Sequence, residues 1–313
     1  MNTMRLKKKL KKELTLSLFI ISLAMGCATT STTQKDPKSQ NLDKIINKQT
    51  KIIKKNPTDL KAYIIRSKTY SKLGKYEEAA SDITKAIEIN PKDPELYFIR
   101  ALIYTELNKN KEAITQYNKY LDFKIDNPEV YYNRGNVYLA LEKYREAIAD
   151  YDTALYMNPR YYGAYVNRGI AYDELNDHYK AIIDYSKAIE IEPGKIAAYS
   201  NRGVSYHERG RYGNAIEDYT KALELDPDDA DLYINRGHSH YKKGLKKEAL
   251  SDFNKVITLD KDNADAYYYK GILFTDILIE YKIEDALNAF LTYAKPGDPR
   301  IESAKRKLRE IKR

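Results

Sequence analysis

From Leu60 onward, apolar and small residues fall into two stripes whose arrangement returns every 34 residues. Tyr165, Gly169 and Tyr172 stand at i, i+4 and i+7, and sixteen residues later Ala181, Tyr185 and Ala188 repeat that spacing. Each set lines one face of a helix and leaves polar residues on the other. The pattern predicts helix pairs: a first helix, a short turn, a second helix, then the next pair. Counting places within each unit from Leu60, place 4 is Tyr63, Tyr97, Tyr131, Tyr165, Tyr199, Tyr233 and Tyr267. Place 8 is always small, from Ser67 and Ala101 to Gly271, so the two backbones can approach closely. Place 20 is alanine in the first six units, and place 24 is Ile83, then Tyr117, Tyr151, Tyr185, Tyr219 and Phe253. Glycine at place 15 (Gly74, Gly210, Gly244) suits the turn, and proline at place 32 (Pro91, Pro159, Pro193, Pro227) stops the second helix.

These places resemble the tetratricopeptide repeat, with an aromatic at 4, Gly at 8, Tyr at 11, Ala at 20, an aromatic at 24, Ala at 27 and Pro at 32. The resemblance covers residues 60–295 and implies an all-α, right-handed superhelical solenoid of about seven helix-turn-helix units with capping helices at both ends. The array is placed at 58–297, a lone second helix at 42–57 serves as the N-terminal cap, and 298–313 forms a basic C-terminal cap. Tyrosine replaces the family's tryptophan at place 4, and Ile125 and Lys261 replace the closing proline. The seventh unit is expected to need a three-residue insertion near "LIEYKIEDA", which brings Ala286 and Phe290 into register.

Place 7, usually leucine in this family, is Arg66, Arg100, Arg134, Arg168, Arg202 and Arg236, then Lys270. A charge within a packed seam is costly unless paired. Place 23 supplies Asp82, Asp150, Asp184, Asp218 and Asp252, so structural ion pairs are expected between the helices. Arg100 meets Gln116, and Lys270, with the inserted register, meets Ala289.

The chain opens differently. "MRLKKKLKKE" is basic, Leu14–Met25 is an apolar run, and "LAMGC" (23–27) ends on Cys27, the only cysteine. The run is too short for a comfortable membrane span and suits a secretory signal over 1–26. The motif resembles a bacterial lipobox, which implies lipidation of Cys27, and Ala28 lacks an acidic retention signal, which points to an outer membrane. Residues 27–41 are small and polar and are expected to form a flexible tether. The chain carries +9 overall. Residues 1–26 hold six Lys/Arg and one Glu, and the last fourteen hold seven basic and two acidic groups, so the body between is close to neutral. That distribution gives no basic groove for nucleic acid.

No phosphate-binding loop or nucleophile elbow is present, and a lone cysteine excludes an intrachain disulfide. His178, His207, His238 and His240 show no metal-ligand spacing, so no metal, cofactor or catalysis is expected. Function is expected on surfaces. The family's inner groove is lined through places 2, 5, 6, 9, 12 and 13, which makes Asn133, Asn167, Asn201 and Asn235 at place 6 candidate contacts for an extended peptide. The expected partners are other proteins or peptides, further copies of the chain among them, and a membrane through the lipid anchor. The reading is a lipid-anchored adaptor of the bacterial envelope, with a structural subunit of an envelope secretion or assembly complex as the alternative and an enzyme subunit behind both.

Overall fold

The computed structural model describes residues 37–275 and 280–311. The expected signal peptide and Cys27 lie outside them. Sixteen helices and no strand occur among the described residues. The leading helix is α1 (Pro37–Lys55), so residues 37–41 are helical where a polar tether was expected to continue. Helix pairs follow: α2 (Leu60–Lys72) with α3 (Tyr76–Ile89), α4 (Pro94–Glu106) with α5 (Asn110–Leu121), and α6 (Pro128–Ala140) with α7 (Tyr144–Met157). Next come α8 (Tyr162–Glu174) with α9 (His178–Ile191) and α10 (Ile196–Glu208) with α11 (Tyr212–Leu225). The last pairs are α12 (Ala230–Lys242) with α13 (Lys246–Leu259) and α14 (Ala264–Thr275) with α15 (Glu280–Tyr293), before the closing helix α16 (Ile301–Ile311).

Every helix in the array through α14 starts 34 residues after its predecessor in kind, and α15 ends at Tyr293, 34 residues after the end of α13 at Leu259. The expected insertion in the seventh unit is therefore absent. Leu287, and not Phe290, is the side chain that Gly271 faces, as Tyr185 faces Gly169. The place-20 position falls on Ile283, and place 23, across from Lys270, is Ala286 rather than Ala289.

The helix ends follow from local chemistry. Asp59, Asp93, Asn127, Asp229 and Asn263 each accept a backbone N–H from the first turn of the following helix. Pro94 and Pro128 then occupy N-terminal helical positions where no N–H is needed. The turn between paired helices repeats as well: the N–H at place 16 reaches the carbonyl at place 11, from Lys75 to Tyr70 (2.9 Å) through Leu245 to His240 (2.9 Å). That closure requires a left-handed residue at place 15. Gly74, Gly210 and Gly244 supply it freely, whereas Asn108 (φ 56°), Glu142 (φ 61°) and Asn176 (φ 60°) carry side chains there.

The chain divides into two compact units, residues 1–150 and 151–313. In the first, Ala79, Ile83, Ala86, Leu96 and Ile103 form one buried cluster, and Phe98, Ala113, Tyr117, Tyr120 and Val130 form another. In the second, Tyr219, Ala222 and Leu232, then Phe253, Tyr269 and Leu273, then Leu287, Phe290 and Ala304 continue the same layering. Large rings sit on the glycines: a Cβ added to Gly203 would lie 2.8 Å from the Tyr219 ring, closer than carbon atoms pack. At the C-terminal end, Arg300 bonds Asp298 and Asp265 and covers the rings of Tyr268 and Phe290 at 5.0 and 5.3 Å, tying α16 to the last repeat.

Candidate functional site

The place-7 arginines occupy a narrow slot. Arg202 donates from Nε and one terminal nitrogen to the two oxygens of Asp218 at 2.9 and 2.7 Å. Its other terminal nitrogen donates to Ser186 Oγ (2.8 Å), on the second helix of the preceding repeat. The same three-way bond ties Arg66 to Asp82 and Thr50, Arg134 to Asp150 and Asn118, Arg168 to Asp184 and Asp152, and Arg236 to Asp252 and Thr220. Arg100 bonds Gln116 Oε1 instead. Tyrosines at places 4 and 11 flank the guanidinium, with Arg134 at 5.7 Å from the Tyr131 ring and 5.9 Å from Tyr138. Burial raises the carboxyls of Asp150, Asp184 and Asp218, with their arginines pulling the other way. Apart from Arg100, each of these arginines joins three helices, so they hold repeats in register as well as pairs. Arg66, Arg134, Arg168, Arg202 and Arg236 are each held by a carboxylate, whereas Arg100 has, among the described residues, only the neutral Gln116 amide.

The open chemistry lies on the first helices. α4 touches α6, α8 touches α10, α10 touches α12, and α12 touches α14, so within each unit these helices crowd along one side. Of the place-6 amides on that side, Asn133 and Asn235 are half-buried, while Asn167 (9% exposed) and Asn201 (3%) are inside. The last two therefore do not meet the expectation of solvated groove amides, because neighbouring first helices close over them. The Asn201 Nδ2 group has no acceptor within reach.

Around this row the second unit carries a polar and aromatic belt. Asp173, on α8, accepts from Ser205 (2.8 Å), from the Tyr185 hydroxyl (2.9 Å) and from His178 Nδ1 (2.8 Å). One repeat on, His207 Nδ1 meets Ser239 Oγ at 2.8 Å. The His207 ring stacks on His238 (4.8 Å, 27°), His238 lies 5.2 Å from Tyr269, and Tyr212 meets His207 edge-on at 5.1 Å. Burial pushes both imidazoles down to about 4, with the Lys242 charge adding to the effect. His240 is elsewhere: its Nδ1 bonds Asp252 (2.9 Å), the carboxylate that also holds Arg236. The sequence reading passed over the histidine stack. Its signal was a diagonal, since His207, His238 and Tyr269 occupy places 12, 9 and 6 of successive repeats.

No helix among the described residues is long and apolar enough to cross a membrane, and none of their His, Cys, Asp or Glu side chains gather in threes to hold a metal ion. Comparison with known proteins places the fold. Among curated proteins no match was found. A solved structure of YrrB, described as a TPR protein with an unusual peptide-binding site, shares 27% identity with a TM-score of 0.55, covering 61% of this chain and 98% of that one. A tetratricopeptide repeat protein from Parabacteroides merdae matches at 22% identity and TM-score 0.58 over 81% of this chain and 99% of its own. The C-terminal part of a TPR repeat-containing protein from Cytophaga hutchinsonii matches at 19% and 0.65 over 76% and 97%. The latter two likenesses carry the fold alone. Profiles described as TPR repeat match residues 101–141 and 205–244, and profiles described as tetratricopeptide repeat match 60–93, 83–115, 128–161, 162–195 and 230–263. Together they span more than half of the chain, in step with the helix pairs, and the chain belongs to the tetratricopeptide repeat family.

Proposed function

We propose that this chain is a non-catalytic protein–protein interaction scaffold, anchored by lipid at Cys27 in a bacterial envelope, at the outer membrane, and holding partner proteins or peptides along its first helices. The observation that carries the interaction role is the crowded first-helix side, where half-buried Asn235 and the half-buried, stacked rings of His207 and His238 stand on neighbouring repeats. Such a surface offers hydrogen bonds to a backbone and flat faces to side chains. The peptide-binding site in the description of YrrB, at 27% identity, supports the same reading. The lipid anchor rests on the "LAMGC" sequence alone.

Photo-crosslinking in cells tests the surface. A crosslinker at Asn235, on the first-helix side, should capture partners that one at the exposed Ser251, on a second helix, does not. Capture only from Ser251 would move the site off the first helices. Cys27→Ser should abolish labelling by a fatty-acid analogue and leave the precursor unprocessed; equal labelling of both forms sinks the anchor.

One observation favours permanent assembly as a second reading. Leu175, Tyr179 and Ile183 follow one another at four-residue steps, and all are exposed, Tyr179 to 63%. The sixth repeat has Lys243, Lys247 and Ser251 at the equivalent places. A subunit contact there would cover the strip in a larger envelope complex, and gentle extraction should then yield a fixed stoichiometry that Tyr179→Lys dissolves.

A further inference from the structure

The scaffold reading leaves the chemistry of the partner open, and the second unit carries a site that narrows it. Ser239 donates its hydroxyl hydrogen to the Asn235 carbonyl at 2.9 Å. Its oxygen is thus left to accept from His207 Nδ1–H at 2.8 Å. This chain of bonds sets the tautomer: in neutral His207 the Nε2 atom is a bare acceptor, and it becomes a donor only when the ring gains a second proton. His238 stacks on that ring at 4.8 Å. Lys242 lies one turn beyond His238 on α12, on the same helix face. It forms no ion pair among the described residues, and its charge bears on both imidazoles.

The surrounding carboxylates are committed or distant. On α8, Asp173 is held by Ser205, Tyr185 and His178. On α14, Asp265 is held by Arg300. Glu208 adjoins His207 in sequence but is exposed, and Asp231 stands two turns before His238 on α12. α11 contributes the Tyr212 ring and α14 the Tyr269 ring. Three basic groups therefore meet on the first-helix side with no anion among them.

We infer that His207, His238 and Lys242 form a receptor for a carboxylate side chain of an extended acidic partner segment, with the imidazoles taking up protons as the carboxylate binds. Proton uptake follows from the tautomer, because a carboxylate beside a bare Nε2 meets a lone pair, whereas an imidazolium offers it a hydrogen bond and a charge. A side chain fits better than a chain terminus because half-buried Asn235 lies before the site and Tyr269 after it, so a bound segment passes through. This inference rests on the first-helix side being the binding surface.

The test uses the folded protein with an acetylated, amidated peptide of alternating Glu and Ala, against its Gln counterpart. Imidazole resonances of His207 and His238 are followed by NMR across pH. The Glu peptide should move both titrations upward by about two pH units, and its affinity should then rise about tenfold between pH 7 and pH 5.5. The Gln peptide should do neither. His238→Gln should flatten the pH dependence, and Lys242→Gln should weaken binding severalfold at both pH values while the stack and the unfolding transition stay in place. Equal binding of the two peptides overturns the carboxylate receptor and leaves the first-helix surface standing, whereas Asn235 crosslinks that never form would remove the surface itself. Unmoved imidazole titrations with the Glu peptide overturn the inference outright. A requirement for a free C-terminus overturns the side-chain assignment.

Discussion

Replacing Asp218 by alanine removes both acceptors from two charge-assisted hydrogen bonds and strands Arg202, only 19% exposed, with Ser186 as its one remaining partner. A neutral hydroxyl does little to compensate a guanidinium withdrawn from water, so the cost should approach the ~3 kcal/mol of a broken buried pair. Asp184→Ala looks equivalent in sequence and is not. Arg168 keeps an ion pair to Asp152 at 2.6 Å, and because Asp152 is 54% exposed it can follow the guanidinium toward solvent. The loss there should be smaller, about 1–2 kcal/mol. Repeat arrays need not unfold in one step, so urea unfolding by circular dichroism should be paired with amide exchange on α10 and α11 for Asp218 and on α8 and α9 for Asp184. Replacing Arg202 by leucine together with Asp218→Ala should recover much of the stability, since no buried charge then remains. Equal costs for the two aspartates would refute the role assigned to Asp152. A double variant no better than Asp218→Ala alone would refute the pairing itself.

Three further outcomes follow from the same geometry. Glu142→Gly should raise stability by roughly 0.5–1 kcal/mol in urea unfolding, because Glu142 holds a left-handed backbone (φ 61°) that a Cβ disfavours; a loss would show that the Glu142 side chain matters more than its backbone. Gly203→Ala should cost about 1–3 kcal/mol by driving a Cβ into the buried Tyr219 ring, and a neutral result would mean the ring moves freely. His207 and His238 hold fewer protons folded, at about 4, than unfolded, at 6.5. Stability should therefore be full above pH 6.5 and fall as pH drops toward 4, by up to ~3 kcal/mol per histidine. Exchange protection of α10 and α12 measured at pH 7 and pH 5 checks this, and unchanged protection contradicts it.

The helix pairs and their 34-residue step are readable from the sequence because their signals are local. Asp59, Asp93 and Asn127 cap helices within their own neighbourhood, Gly74 and Gly210 close turns within five residues, and Tyr165, Gly169 and Tyr172 mark one face by spacing alone. Arg202 and Asp218 can be matched the same way, since they lie sixteen residues apart inside one repeat. Other features needed the folded chain. In the seventh repeat, Ile283, Ala286, Leu287 and Phe290 make a stripe that accepts a three-residue shift, which turns a helix by only about 60°, and contact with Gly271 selects Leu287. The bond from Arg202 to Ser186 joins different repeats. Burial of Asn167 and Asn201 depends on how closely neighbouring first helices approach, and the stacking of His207 on His238 joins residues 31 apart that share no local pattern. Periodicity determines which residues share a helix face, but the distance between faces is set by packing of side chains from separate repeats. Repeat identity was therefore written in the sequence, while the solvent exposure of the amides and the convergence of two imidazoles with one ammonium were decided only when the helices closed together.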